Sequence, residues 1–205
     1  MVTSPILEKG DKKMRVKLSH FVVYGLITAL LSSWFTATVM SQTAEEKARN
    51  RAVAVKSLAG ACSGVILQTN LVMTAGHCIA DVGVVTVEGR EAKLYKKDAK
   101  IDLALLFVET IVIDRVIVAD PVVGDDVFSW GFPMASPNRV FTKGYISVVQ
   151  FDSSYSTTLA APGASGSGLY NRNGQLVGIV TNYMDVTGFS VNRLPSHIHQ
   201  IWEVQ

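Results

Sequence analysis

Cysteine, histidine and net charge are all scarce in this sequence, and each scarcity removes a class of function. Two cysteines, Cys62 and Cys78, occur in 205 residues. Two thiols alone do not make a structural zinc site, and no histidine pair stands at ligand spacing with them. No metal or cofactor is therefore expected. The formal charge at pH 7 is only +2, too small to suggest a nucleic-acid partner. The basic excess lies in the first 20 residues, where Lys9, Lys12, Lys13, Arg15 and Lys17 outnumber Glu8 and Asp11, leaving the remainder slightly acidic. No internal repeat, low-complexity stretch or long charge run interrupts the chain. What is plentiful is apolar material, 48% of residues against 18% charged. That excludes a disordered chain and suffices for one sizeable core or two small lobes sharing an interface.

Charge is missing altogether from residues 21–44. The apolar part of that run is long enough for about one bilayer crossing if helical, at roughly 20 residues per span. Behind a basic tail it reads as a signal peptide or as an uncleaved signal anchor. Val39 and Ser41 are small enough for cleavage after Ser41. A buried core helix fits less well, because the flanking charge asymmetry fits export. In either export case the bulk of the protein is expected outside the cytoplasm. It would be membrane-anchored through residues 21–41, or secreted or periplasmic after cleavage. In such an oxidising compartment Cys62 and Cys78 read as one disulfide, the other reading being two free buried thiols.

Residues 42–51 are polar and rich in helix formers, and read as a linker. From residue 52 onward short apolar runs, many rich in Val, Ile and Thr, alternate with turn signals. Strands are expected at 52–57, 62–68, 71–75, 82–88, 91–96, 103–108, 112–118, 126–131, 139–150, 155–160, 168–171, 175–182 and 186–191. Many short strands with regular breaks predict an all-β sandwich or barrel. Leu194, Ile198, Ile201 and Trp202 recur at helical spacing behind Pro195 and Ser196, which predicts one terminal helix. Pro121-Val-Val-Gly124 sits midway, and the division between halves is expected near residue 117.

Of the four histidines, His20 lies in the basic tail, and His197 and His199 lie two apart on the expected helix, pointing in different directions. His77 differs. It sits in Val72-Met-Thr-Ala-Gly-His-Cys78, directly after a strand and beside a cysteine. Ser165 lies in Ala161-Pro-Gly-Ala-Ser-Gly-Ser-Gly168. A serine hydroxyl is a poor nucleophile until a base takes its proton, and the reaction needs N–H groups aimed at the developing oxyanion. The glycine-rich turn permits the N–H groups of Gly163 and Ser165 to converge. Ser167 is the rival, but its −2 neighbour is Ser165 and not glycine. An ordinary Gly-Ser turn would look similar in isolation. The third member of such a set is a sequestered carboxylate that orients the imidazole. Asp102 opens the apolar run Asp102-Leu-Ala-Leu-Leu-Phe-Val108, where a charge needs a partner. Asp98 and Asp114 lie among Lys97, Lys100 and Arg115 and read as solvated.

At these residues the chain resembles the trypsin-like serine peptidases of the chymotrypsin superfamily, over roughly residues 52–202. Met73-Thr-Ala-Gly-His-Cys78 resembles the histidine motif, Asp102-Leu-Ala-Leu-Leu106 the aspartate motif, and Pro162-Gly-Ala-Ser-Gly-Ser167 the serine motif. Leu176-Val-Gly-Ile-Val180 resembles the strand lining the substrate cleft. The order His, Asp, Ser is the superfamily's and differs from the Ser, acid, His order of α/β-hydrolases. Val123-Gly-Asp-Asp-Val-Phe-Ser-Trp-Gly-Phe-Pro133 and Phe141-Thr-Lys-Gly-Tyr-Ile-Ser-Val148 are similar to bacterial HtrA/DegP-type peptidase domains. The chain ends soon after the expected helix, so no PDZ domain is expected.

The resemblance implies two six-stranded antiparallel barrels, at 52–117 and 118–205, with the terminal helix on the second and the site in the cleft between them. It implies a Cys62–Cys78 disulfide and a serine endopeptidase acting on polypeptides through His77, Asp102 and Ser165. A non-catalytic binding module on the same scaffold is the alternative. Digestive members build their oxyanion hole after a new N-terminus pairs with an aspartate before the serine. That position here is Ala164, so no such switch, and no trimming at Val53, is expected. By the same resemblance Leu159, Ala160, Thr181, Tyr183 and Gly188 line the primary pocket. Leu159 stands where an acid would favour Lys or Arg, and no histidine lies between 176 and 183. Small or medium apolar P1 side chains are therefore expected.

Overall fold

The computed structural model describes residues 42–109, 113–184 and 187–203. The basic tail and the apolar segment read as a signal or anchor lie outside the described residues. Among the described residues no helix is long and apolar enough to cross a membrane.

The first described element corrects an expectation. Residues 42–51 hold not a loose linker but a helix, α1 (Ala44–Arg51), closed at its start by a capping box. Thr43 Oγ1 accepts from the Glu46 N–H at 3.2 Å, and the Thr43 N–H donates to Glu46 Oε2 at 3.0 Å. Glu45 and Glu46 sit in the first turn, and Arg49 and Arg51 in the last, the arrangement that suits the helix dipole. Ala48 is buried, the Arg51 guanidinium donates to the Ile66 carbonyl, and Arg49 lies over the Trp130 ring. These contacts reach both halves of the fold, so the segment is part of the packed domain.

The strands that follow are β1 (Ala52–Ser57), β2 (Gly60–Gln68), β3 (Leu71–Ala75), β4 (Val85–Val87), β5 (Arg90–Asp98) and β6 (Leu103–Phe107). They close a barrel in the order β1-β2-β3-β6-β5-β4. The second set is β7 (Asp126–Gly131), β8 (Val140–Gln150), β9 (Ser153–Ser156), β10 (Gly168–Asn171), β11 (Leu176–Tyr183) and β12 (Ser190–Arg193). It closes in the order β10-β11-β12-β9-β8-β7. All strand pairings are antiparallel.

Thirteen strands were expected, and the segment at 112–118 is the one that differs in kind. Its described part forms a single parallel bridge, Val118 with Leu176. The Val116 N–H bonds Leu67 O of the first barrel, whereas Ile117 O accepts from Leu176 N of the second. The chain therefore crosses between barrels at 116–117, where the division was expected. Two strands are also displaced: 155–160 becomes Ser153–Ser156, and 186–191 becomes Ser190–Arg193. Both displacements have one cause. Ser154, Ser156, Thr158, Ser190 and Asn192 are buried and bond one another, with Asn192 Nδ2 donating to Ser154 O at 3.1 Å and Ser190 Oγ to Asn192 Oδ1 at 3.2 Å. A hydrogen-bonded polar cluster can fill a barrel interior, although the Ser154 hydroxyl itself has no partner among the described residues, and an apolar-run criterion misses such a cluster.

The terminal helix α2 (Pro195–Trp202) forms where expected, with Pro195 in the first turn and Ile198, Ile201 and Trp202 buried. It packs against β6 and β11, one strand from each barrel. Ile198 and Ile201 join Leu103, Leu105, Leu176 and Ile179 in the apolar cluster between the barrels. Each such buried side chain contributes on the order of 1.5–3 kcal/mol of transfer free energy. That interface holds the two halves of the cleft in register.

Candidate active site

His77 lies in a 3-10 turn, Gly76–Cys78, that caps the end of β3. The Cys62–Cys78 disulfide, with S–S of 2.01 Å, ties this turn to β2. Both sulfurs are thereby in a covalent bond, so the grouping of Cys62, His77 and Cys78 offers no thiolates to a metal. Asp102 precedes β6 and grips the same turn three times. Its Oδ1 accepts from the His77 N–H at 2.8 Å, its Oδ2 lies 2.8 Å from His77 Nδ1, and its backbone O accepts from the Gly76 N–H at 2.9 Å. Asp102 adopts a φ of 53°, a left-handed conformation that costs a non-glycine residue energy and is sustained by those bonds.

The Asp102 hydrogen bond is the main influence holding His77 above the ordinary histidine value; partial burial opposes it and the carboxylate charge reinforces it. Engagement of Nδ1 by the carboxylate leaves Nε2 as the nitrogen available for proton transfer. One expectation needs correction. Asp102 is not sequestered: its side chain is 26% exposed, and that of His77 is 50% exposed.

Ser165 lies in the loop between β9 and β10. The four peptide units from Pro162 to Gly166 can be accounted for completely. Every carbonyl is taken: Pro162 O by Met134 N–H, Gly163 O by the Ser63 hydroxyl, Ala164 O by Ser167 N–H, and Ser165 O by Ser63 N–H. Of the four N–H groups, Ala164 donates to Ala161 O and Gly166 to Val180 O. The N–H groups of Gly163 and Ser165 have no acceptor among the described residues. With an i to i+3 bond from Ala161 to Ala164 and a φ of 89° at Gly163, residues 161–164 form a type II turn, which needs glycine at its third position. Gly166 has the same φ, and a Cβ there would run into the Ser63 carbonyl oxygen. Two alternate amides are thus left over among four peptide units whose other N–H and C=O groups are all bonded. Such fixed, unspent donors are what a developing oxyanion requires.

His77, Asp102 and Ser165 line one cavity of about 360 Å³, together with Ala161, Pro162, Thr181, Asn182 and Tyr183. No hydrogen bond joins Ser165 Oγ to His77 among the described residues; in substrate-free sites such bonds are often long and tighten on binding. Of the expected pocket residues, Thr181 and Tyr183 line this cavity. Leu159, Ala160 and Gly188 do not. Leu159 borders a separate small void behind the serine loop, and Gly188 is exposed in the turn after β11. Asn182, Ala161 and Pro162 were missed. The turn chemistry of Ala161-Pro-Gly-Ala could have indicated Ala161 and Pro162, whereas strand alternation argues against Asn182 between Thr181 and Tyr183, and the register of β11 shifts between Val180 and Asn182. Of the rivals, Ser167 is buried, and Asp98 accepts the Lys100 N–H within its own turn.

Residues 62–179 match the trypsin-like peptidase domain. The chain belongs to that family. Among solved structures it is similar to the serine endoprotease from Yersinia pestis, at 27% identity and a TM-score of 0.69, over 77% of this chain and 63% of that one. It therefore spans less than two thirds of the Yersinia protein. The Rv3671c protease from M. tuberculosis in its active form superposes with a TM-score of 0.72 at 21% identity, over 79% of this chain and 85% of that one. Its inactive form gives 0.70 over 77% and 90%, again at 21% identity. At that identity the likeness to Rv3671c concerns the fold alone. No curated protein sequence matches the chain. Trypsin-like peptidases carry their site in the cleft between two barrels, and the cavity of this member is lined from the first barrel by the turn after β3 and the residue before β6, and from the second by β11 and the serine loop.

Proposed function

We propose that this protein is a serine endopeptidase working through His77, Asp102 and Ser165. His77 Nε2 takes the Ser165 hydroxyl proton as Oγ attacks the scissile carbonyl. Asp102 holds the imidazole by Nδ1 and stabilises its charged form. The Gly163 and Ser165 N–H groups receive the oxyanion. His77 then returns the proton to the leaving amine, and water hydrolyses the acyl-enzyme by the reverse sequence. The observation that carries this reading is the serine loop, in which two amides alone remain unbonded beside the His77–Asp102 pair.

The same loop needs no activating cleavage. Its carbonyls are already bonded without a new N-terminus, and Val53 is buried within β1, paired with Gly64. The P1 side chain is small or medium and apolar. That assignment is supported by the absence of a charged group among Ala161, Pro162, Thr181, Asn182 and Tyr183. The domain is exported and acts on polypeptides outside the cytoplasm, tethered by or released from residues 21–41. Full-length wild type should react with a fluorophosphonate probe and cleave peptides, whereas Ser165→Ala should do neither. A Ser165→Ala chain that still hydrolyses peptides overturns the reading. Strong cleavage after Arg, Lys or Glu in a peptide library overturns the P1 assignment alone.

A further inference from the structure

Ser63 stands in β2 of the first barrel, beside Cys62 and away from the motifs that carry the triad. It is fully buried, yet every polar group it has is engaged across the barrel interface or with β3. Its N–H donates to Ser165 O at 2.8 Å. Its hydroxyl oxygen lies 2.8 Å from the Phe132 N–H and 2.7 Å from Gly163 O. Its carbonyl accepts from Thr74 Oγ1 at 2.7 Å. The hydrogen-bond direction at the hydroxyl is forced. Phe132 N can only donate, so the single hydroxyl proton goes to Gly163 O. The hydroxyl therefore pins the peptide that follows the Gly163 amide, and the backbone N–H pins the peptide that follows the Ser165 amide.

We infer that Ser63 is a positioning residue for the oxyanion donors: from the opposite barrel its hydroxyl anchors the Gly163–Ala164 peptide and so, through the Gly163 Cα, restrains the Gly163 amide, whose own peptide is held at Pro162 O by the Met134 N–H. The inference rests on the reading of Ser165 as nucleophile with Gly163 and Ser165 as donors. Ser63 touches no reacting atom. Its effect falls on the transition state, because a donor free to rotate loses the preorganisation that makes it effective. Loss of such a donor in other sites costs about 10²–10³ in kcat, so loosening one should cost less, about tenfold to a hundredfold. The substrate ground state makes little use of the donor, so KM should hold.

The test compares full-length wild type, Ser63→Ala, Ser63→Gly, Ser63→Thr and Ser165→Ala in peptide hydrolysis, with kcat expressed per active site titrated by a burst of acylation. Ser63→Ala and Ser63→Gly keep the amide bond to Ser165 O and lose the hydroxyl. They should lower kcat about tenfold to a hundredfold with KM within twofold, and leave the acid limb of the pH profile in place. Ser63→Thr, which restores the hydroxyl, should recover most of the loss. A merely structural role would instead lower the number of titratable sites and leave kcat per site intact. That result, or a threonine variant no better than alanine, overturns the inference while Ser165→Ala remains inert. Wild type that neither acylates nor cleaves overturns the parent reading instead, and this inference with it.

Discussion

At the scale of single residues, the proposed chemistry turns on one imidazole. In that proposal His77 acts as a base, which it can do only when neutral. Its pKa is raised, chiefly by the Asp102 hydrogen bond, so the acid limb of kcat/KM against pH should lie above the ordinary histidine value of 6.5. Asp102→Asn removes that cause. The limb should then move to lower pH, and kcat should fall about 10⁴-fold, because the amide no longer selects the productive tautomer. A limb that stays in place in the Asn variant would mean that Asp102 does not govern His77. Gly166 makes a second residue-scale case. Its φ of 89° and its closeness to Ser63 leave no place for a side chain. Gly166→Ala should abolish fluorophosphonate labelling while the far-UV spectrum stays that of a β protein. Residue types were legible at this scale: His77, Asp102 and Ser165 stood out by motif. The left-handed turn at Asp102, its exposure, and the exclusion of Leu159 and Gly188 from the cavity were not, because they depend on how two distant loops meet.

At the scale of elements, α1 is the lesson. Thr43 and Glu46 form the Thr-x-x-Glu signature of a capping box, and that signature was present in the sequence. The segment nevertheless read as a linker, because it has almost no apolar stripe; it docks through Ala48 and two arginines rather than through large side chains. Thr43→Ala should lower stability by about 0.5–2 kcal/mol, visible as a drop in Tm. A chain starting at Ala52 should lose more, whereas one starting at Gln42 should match the intact domain. Equal Tm values for the two truncations would return α1 to the status of a linker. The apolar strands of the first barrel were legible for the opposite reason. Runs such as Leu103–Phe107 bury nearly every side chain. β9 and β12 were placed poorly because their inward faces are serine and asparagine.

At the scale of the whole molecule, two barrels are joined by an apolar interface, by α2 lying across it, and by Ser63 reaching from one barrel into the serine loop of the other. Order along the chain revealed two halves and the crossing near residue 117. It could not reveal the Ser63 contact, since hydrogen bonds spanning 100 residues leave no local pattern. The Cys62–Cys78 bridge closes a short loop, with a sequence separation of 16, around the histidine turn. For a loop of that size the stabilisation is about 3 kcal/mol. The Cys62→Ser/Cys78→Ser variant should therefore unfold at clearly lower denaturant concentration, measured by urea titration. An unchanged midpoint would deny the bridge a role in stability.

In the proposed reaction a hydroxyl, an imidazole and two unspent amides act on one carbonyl carbon. A crystal structure of the protein reacted with a peptide boronate tests it most directly. The account predicts a covalent bond from Ser165 Oγ to boron, one boronate oxygen about 2.7–3.1 Å from both the Gly163 and Ser165 nitrogens, and His77 Nε2 within hydrogen-bond reach. A boronate attached elsewhere, or an oxygen turned away from those two amides, would contradict it.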